Sequence, residues 1–304
     1  MIKLSKKISI VYMILVISLV GGCSNNGSQK NPETPDKVQT EGNTEMPNLK
    51  FSNINDASSQ DKVYNLLSEV GIGEHNLDMF KKSVTNYYKS VEGVELINPD
   101  EKLSDLQVPY NIYDLSDRWI EKNPDFSDQN CRLTSFRLFN KFVDSESNES
   151  YKKMDTDVLV FDLNAIKFNP NAKYSEEDTN KFSNLFSSIP VTDANNLEES
   201  AKEITKTIKE RKISFKSTDK ISLISGYVPG LDDNSLFVGH TGVLINTNEG
   251  FVFIEKYGFE QPYQVTLFKD KKEVKNYLFD RLKTSFTGDK QDYTPIIMEN
   301  NKLM

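Results

Sequence analysis

Cysteine and histidine are almost missing, with two of each in 304 residues. Two cysteines exclude a disulfide-dense scaffold, and two histidines leave little for a metal cage, so neither metal nor cofactor is expected. A basic excess is missing too. Asp and Glu number 45 against 37 Lys and Arg, for a formal net charge of −8, which excludes the cationic face that nucleic acid requires. The apolar run over residues 8–20 falls short of the ~20 residues of a membrane-spanning helix. What the chain does have is 18 Phe and 13 Tyr, which argue for a packed core over most of its length.

Lys3, Lys6 and Lys7 precede the apolar run, and Val20-Gly21-Gly22-Cys23 ends it. A basic start, a short apolar core and small residues before a cysteine read as a secretory signal peptide over residues 1–22. The last four residues resemble a bacterial lipobox. That resemblance implies an acylated Cys23 as the first mature residue, and an extracytoplasmic protein lipid-anchored to the bacterial cell membrane. Residues 24–46 hold only Val38 and Met46 as apolar side chains and cannot repay the entropy of ordering. Residues 23–48 are therefore expected to be a lipidated tether of about 25–30 Å root-mean-square reach. Residues 49–304 are expected to form one globular domain, with a helical part over 49–115 and a Cys/His core over 116–304.

Val63, Leu66, Leu67 and Val70 repeat at helical spacing and Gly71 closes that helix; Leu77, Phe80, Val84, Tyr87 and Tyr88 repeat the pattern. Leu133, Phe136, Phe139 and Val143 share the face of a helix that starts at Cys131, with Ser127 or Asp128 as its N-cap. Residues 158–163 have the apolar character and length of a strand. Two more helices follow around Phe182 and Ile204. From Ile213 the period becomes two, giving strands near 213–215, 221–224, 236–245, 251–256, 263–268 and 296–298, with a helix over 274–282. Helices followed by an antiparallel sheet make the fold class α+β.

Without Cys23 one thiol remains. Cys131 is placed at a helix N-terminus, where free N–H groups and the dipole favour the thiolate. The ordinary alternative is an inert buried cysteine. His240 lies in an apolar strand between Gly239 and Gly242, suited to a general base with cleared space beside it. His75 is read as solvated. A hairpin turn centred on Thr247-Asn248 sets Glu255 opposite His240, on one face, in the orienting role of a triad; a turn one residue later moves the partner to Tyr257. Asn246 and Gln264 are the other candidate orienters. Gln129 and Asn130, with the Cys131 N–H, are candidates for an oxyanion hole. Trp119, Tyr263 and Gln264 are candidate substrate contacts. The dipeptide Glu255-Lys256 also fits ordinary charge pairing at a strand edge.

A Cys at a helix start, then a His on one strand and a polar orienter on the next, resembles the papain-like cysteine hydrolases. The strand Gly239-His240-Thr241-Gly242-Val243-Leu244-Ile245 resembles the histidine strand of the NlpC-type cell-wall peptidases. Asn130-Cys131-Arg132-Leu133-Thr134-Ser135-Phe136, Val238-Gly239-His240-Thr241-Gly242-Val243-Leu244, Glu255-Lys256 and Gln261-Pro262-Tyr263-Gln264 are similar to a bacterial lipoprotein family known as domain of unknown function 4300. That similarity runs from Leu49 to the C-terminus and implies domain extent and lipoprotein location. Two readings stay open. One is a surface-anchored cysteine hydrolase that cuts peptide or cell-wall amides through Cys131, His240 and Glu255. The other is a non-catalytic ligand-binding or adhesion lipoprotein on a degenerate hydrolase fold. A monomer is expected in either case.

Overall fold

Residues 49–96, 101–103, 110–146, 156–216, 218–230, 234–285 and 293–304 are described by a computed structural model of the chain. The expected signal peptide, Cys23 and the tether lie outside the described residues. Glu45–Met304 forms one compact unit.

The helices are α1 (Ala57–Glu69), α2 (Glu74–Ser90), α3 (Ile112–Lys122), α4 (Cys131–Phe139), α5 (Val160–Phe168), α6 (Glu176–Phe186), α7 (Leu197–Glu210) and α8 (Lys271–Ser285). Five of the starts have a side-chain cap. Asp56 caps α1 by accepting from the Ser59 N–H at 3.0 Å, and Asn111, Asn130, Ser175 and Asn196 cap α3, α4, α6 and α7 in the same way. The residue after α1's cap region, Gly71, adopts φ +86, a conformation that ends a helix at little cost for glycine. Pro124 follows α3 closely and cannot continue it.

The strands are β1 (Leu49–Ser52), β2 (Glu101–Leu103), β3 (Val143–Ser145), β4 (Ile189–Pro190), β5 (Ile213–Phe215), β6 (Ile221–Pro229), β7 (Ser235–Thr247), β8 (Gly250–Lys256), β9 (Tyr263–Phe268), β10 (Ile296–Glu299) and β11 (Lys302–Leu303). Among the described residues they make a nine-stranded antiparallel sheet. Its order is β11-β10-β6-β7-β8-β9-β1-β2, with β4 added at the start of β7; β3 and β5 pair separately. The fold is thus mixed α+β. No helix among the described residues is long and apolar enough to cross a membrane.

Three expectations are corrected. Residues 158–163 are not a strand: a 3-10 turn over Asp157–Leu159 runs into α5, which buries Asp162, Ala165 and Ile166 at i, i+3 and i+4. An apolar run this short carries no period that separates strand from helix. Residues 49–115 are not purely helical, because β1 pairs with β9 through Lys50↔Leu267 and Phe51↔Thr266. The first strand of the domain therefore completes a sheet built mostly from its last third. Val143 belongs to β3, since α4 stops at Phe139 and a 3-10 turn follows.

The β7–β8 hairpin pairs Thr247 with Gly250 and Gly242 with Glu255, so Asn248-Glu249 forms the turn, one residue later than the Thr247-Asn248 centre. Gly250 fixes this choice. Its φ is +137, and a Cβ there would lie 2.4 Å from the Phe268 carbonyl oxygen. Gly242 clears space within the protein, since its Cβ would lie 2.3 Å from the Phe253 ring and 2.9 Å from the Ile254 carbonyl. Gly242→Ala is expected to cost about 1–3 kcal/mol by overpacking. The check is the urea midpoint, and an unchanged midpoint would show that the Phe253 ring moves aside freely.

α4 packs against β7 and β8 on one side and α2 on the other. All nine of its residues are buried. Such a helix runs through the middle of the domain and brings its first residue to the sheet.

Candidate active site

Cys131 is the first residue of α4 and His240 lies midway along β7; both are 5% exposed. The thiol and the imidazole are close enough for each to shift the other's titration. Glu255 on β8 is fully buried, and its Oε2 meets His240 Nε2 in a very short contact. With Nε2 engaged, Nδ1 is the ring nitrogen left for the thiol. The shifted hairpin register makes Glu255 a diagonal neighbour of His240 rather than its direct partner. Moving the turn by one residue changes the pairing sum by two, so the parity and hence the shared face are unchanged. Tyr257, the direct partner in that register, places its ring 6.4 Å from the imidazole.

The carboxylate of Glu255 is held from behind. Its Oε1 accepts from Gln264 Nε2 at 2.7 Å, Tyr277 Oη at 2.6 Å and Arg281 Nη1 at 3.1 Å. Burial alone would raise its pKa, yet Arg281 and His240 bring it down to about 2. The guanidinium of Arg281 lies 3.4 Å over the Tyr257 ring. Burial pushes Tyr277 well above the ordinary phenol range, which keeps it a donor. Tyr277 and Arg281 share a turn of α8 and were not legible as site residues: their i, i+4 spacing is that of any helix face.

At the front, burial raises the Cys131 thiol, but His240 and then Arg132 outweigh it and bring it below the usual value. His240 moves the other way. Burial lowers it, while Cys131 and Glu255 raise it above the usual imidazole value. Each direction favours the charged form of its group beside the other.

Charge pairs fix the first turn of α4. Asp162 on α5 accepts from Asn130 Nδ2 at 2.8 Å and from Arg132 at 2.6 and 3.0 Å; Arg132 Nη1 reaches the Val238 carbonyl on β7 at 2.9 Å. Arg132 thus ties the cysteine helix to the strand that carries His240. A second buried pair, Asp128–Lys256 at 2.7 Å, joins the segment before Cys131 to the residue after Glu255. Burial drives both members toward their neutral forms, Asp128 up and Lys256 down. Lys256 Nζ also sits over the rings of Tyr87 and Tyr263, at 4.1 and 4.7 Å. Glu255 and Lys256 are therefore not a strand-edge pair: they point to opposite faces and each has its own buried partner.

Other expected site residues go elsewhere. Asn130 is itself the N-cap, in place of Ser127 or Asp128, accepting from the Leu133 N–H at 3.0 Å. Gln129 Nε2 donates to Ser83 Oγ at 2.6 Å and to the Asn171 carbonyl. Neither side chain faces an oxyanion position. The donors left there are the first-turn N–H groups of Cys131 and Arg132, which no helix uses internally. The polar flanks of Cys131 do not make it exposed, because Gln129, Asn130 and Arg132 are buried and satisfied. Trp119 and Tyr263 are core residues rather than cleft residues: Trp119 stacks on Tyr87 at 6.0 Å, and Tyr263 meets Phe80 and Tyr87 edge-on. Gln264 supports Glu255 instead of lining a cleft. Asn246 binds the Asp219 carbonyl at the far end of β7, and His75 is exposed in the first turn of α2. No group of three or more His, Cys, Asp or Glu among the described residues is placed to hold a metal.

A thiol, a proton carrier beside it and a fixed carboxylate behind that can perform acyl transfer. Comparison with curated proteins finds no match, and comparison with solved structures finds none. A family profile does match, over residues 50–304, and so takes in α4, β7, β8 and α8 together: the chain belongs to the family described as domain of unknown function DUF4300.

Proposed function

We propose that the protein is a cysteine hydrolase of peptide or cell-wall amide bonds, anchored outside the cytoplasm through lipid on Cys23. One observation supports this reading: the thiol of Cys131 and the imidazole of His240 interact, and His240 contacts Glu255, which Arg281 holds ionised. The Cys131 thiolate adds to the amide carbonyl, and the oxyanion meets the N–H groups at the start of α4. His240 then gives its proton to the leaving amine as the C–N bond breaks and a thioester forms. Water, losing a proton to His240, attacks the thioester and releases the acid and the thiol. Glu255 keeps the imidazole in orientation and stabilises its charged form. A papain-like core is part of this proposal, supported by the order cysteine helix, histidine strand, carboxylate strand.

The alternative, a binding lipoprotein without turnover, is favoured by one feature. A cavity of about 520 Å³ lies along α5, lined by Val160, Leu163, Phe168 and Tyr174 among others, and includes neither Cys131 nor His240.

Alkylation by iodoacetamide across pH separates the two. The chain from Ser24 onward contains the whole compact unit and Cys131 as its one thiol. The expected thiol midpoint lies well below the ordinary value of about 8.5, and His240→Ala returns it there. A normal midpoint indifferent to His240 would sink the hydrolase reading.

A further inference from the structure

Cys131 and His240 are almost wholly covered, so little of either is open to a substrate. Two aromatic rings sit on the segments that are tied to the residues around Cys131. On one side is Phe161, at 56% exposure the neighbour of the fully buried Asp162. Asp162 grips Asn130 and Arg132, the two residues that flank Cys131, so α5, which carries Phe161, is tied to the first turn of α4. On the other side is Phe259, in the segment between β8 and β9. Its neighbour Glu260 accepts from the Asp128 N–H at 3.4 Å, and Lys256 pairs with the Asp128 carboxylate. The segment that carries Phe259 is therefore tied to Asp128, three residues before Cys131. The two rings meet edge-on with centroids 6.3 Å apart. Their contact joins α5 to the β8–β9 segment, which also carries Tyr257 beside His240. Val160, next to Phe161, is exposed to the same 56%. This much apolar surface beside a polar reaction centre is not buried by folding and gains by contact with another apolar group.

We propose that Phe161 and Phe259 form a two-ring gate over the Cys131 thiol, and that an apolar side chain beside the scissile amide takes one ring's place when the gate parts. The substrate half of this rests on the hydrolase reading; the gate does not. An exposed edge-on ring pair is weak enough to open on binding, yet it excludes bulky groups that cannot replace the lost contact.

The test is the alkylation of Cys131 in the chain from Ser24 onward, by iodoacetamide and by a bulky fluorescein maleimide. A second pair of reagents, acetyl-phenylalanyl and acetyl-glycyl chloromethyl ketones, reads side-chain preference. Phe161→Ala and Phe259→Ala are each expected to raise the bulky-to-small rate ratio by about 2- to 10-fold, the factor that corresponds to loss of one ring pair. The pH midpoint of the thiol should not move. The double variant should add little to either single one, because both remove the same contact. The phenylalanyl reagent should be preferred over the glycyl one in the wild type, relative to a free thiol, and less so in Phe161→Ala. Unchanged ratios in folded Phe161→Ala overturn the gate, and equal rates for the two ketones overturn the apolar assignment. An ordinary thiol midpoint with altered ratios upholds the gate and overturns the hydrolase reading alone.

Discussion

Lys256→Met is expected to destabilise the protein by about 3–5 kcal/mol, because it leaves the Asp128 carboxylate buried without a counter-charge. Lys256 is wholly buried, and its ammonium meets Asp128 at 2.7 Å, the Gln261 carbonyl, and the faces of Tyr87 and Tyr263. Methionine fills similar space but supplies none of these contacts. The loss should depend on pH. Burial already raises Asp128, and without Lys256 it rises further, so the variant holds its stability at low pH and loses it as pH climbs through the new folded value. Urea unfolding at pH 5 and pH 8 reads this directly, with the larger deficit at pH 8. The double variant Asp128→Asn/Lys256→Met should recover much of the difference, since removing a buried pair together costs far less than breaking it. A single-variant loss under about 1 kcal/mol at both pH values would mean that water reaches the pair.

Glu255→Gln is the second large effect, and it divides into chemistry and stability. Glu255 raises the His240 pKa, and His240 in turn lowers that of Cys131. The amide keeps the shape but not the charge, so the thiol midpoint should climb toward its ordinary value. On the proposed hydrolase function, amide turnover should fall by about 10⁴-fold, as when the orienting carboxylate of a triad becomes an amide. Wild-type turnover rates or midpoints in this variant would remove Glu255 from the mechanism. For stability, the folded carboxyl titrates at about 2 against an ordinary 4.5. A lowered folded pKa stabilises above the unfolded value, and the contribution is lost as pH falls from about 4.5 to about 2. The shift corresponds to about 3 kcal/mol at neutral pH. The variant should lack this part of acid unfolding and should also be less stable at pH 7, where Arg281 faces an uncharged amide. Glu260 works in the opposite sense. Burial first, then the charge of Asp128, raise it to about 7, so its contribution fades as pH rises through neutrality.

Local chemistry already determined a good deal. Strand period and turn residues place Tyr263–Phe268 with its observed bounds, and Pro124, Gly71 and the helix spacings end α3 and α1 where they end. Cys131 begins a helix because Asn130, directly before it, satisfies a first-turn N–H. Parity along a hairpin put His240 and Glu255 on one face for either of the two two-residue turns, and this survived an error of one residue in the turn. These features rest on interactions spanning a few residues, which the order of side chains encodes directly.

Tertiary structure alone decided the rest. Whether an apolar run of six residues becomes a strand or a helix depends on what packs against it, and for residues 158–163 that is the first turn of α4, through Asp162. Long-range partners have no spacing to read. Asp162 reaches Arg132 across 30 positions, Arg281 reaches Glu255 across 26, and Asp128 reaches Lys256 from another element. Each is a buried charge, which is tolerable only when its partner arrives by folding. The sequence by itself named the thiol, the imidazole and the carboxylate. The folded chain decided that they lie together, which groups hold them there, and that Trp119 and Tyr263 belong to the core, because burial and charge pairing are properties of the whole packed domain.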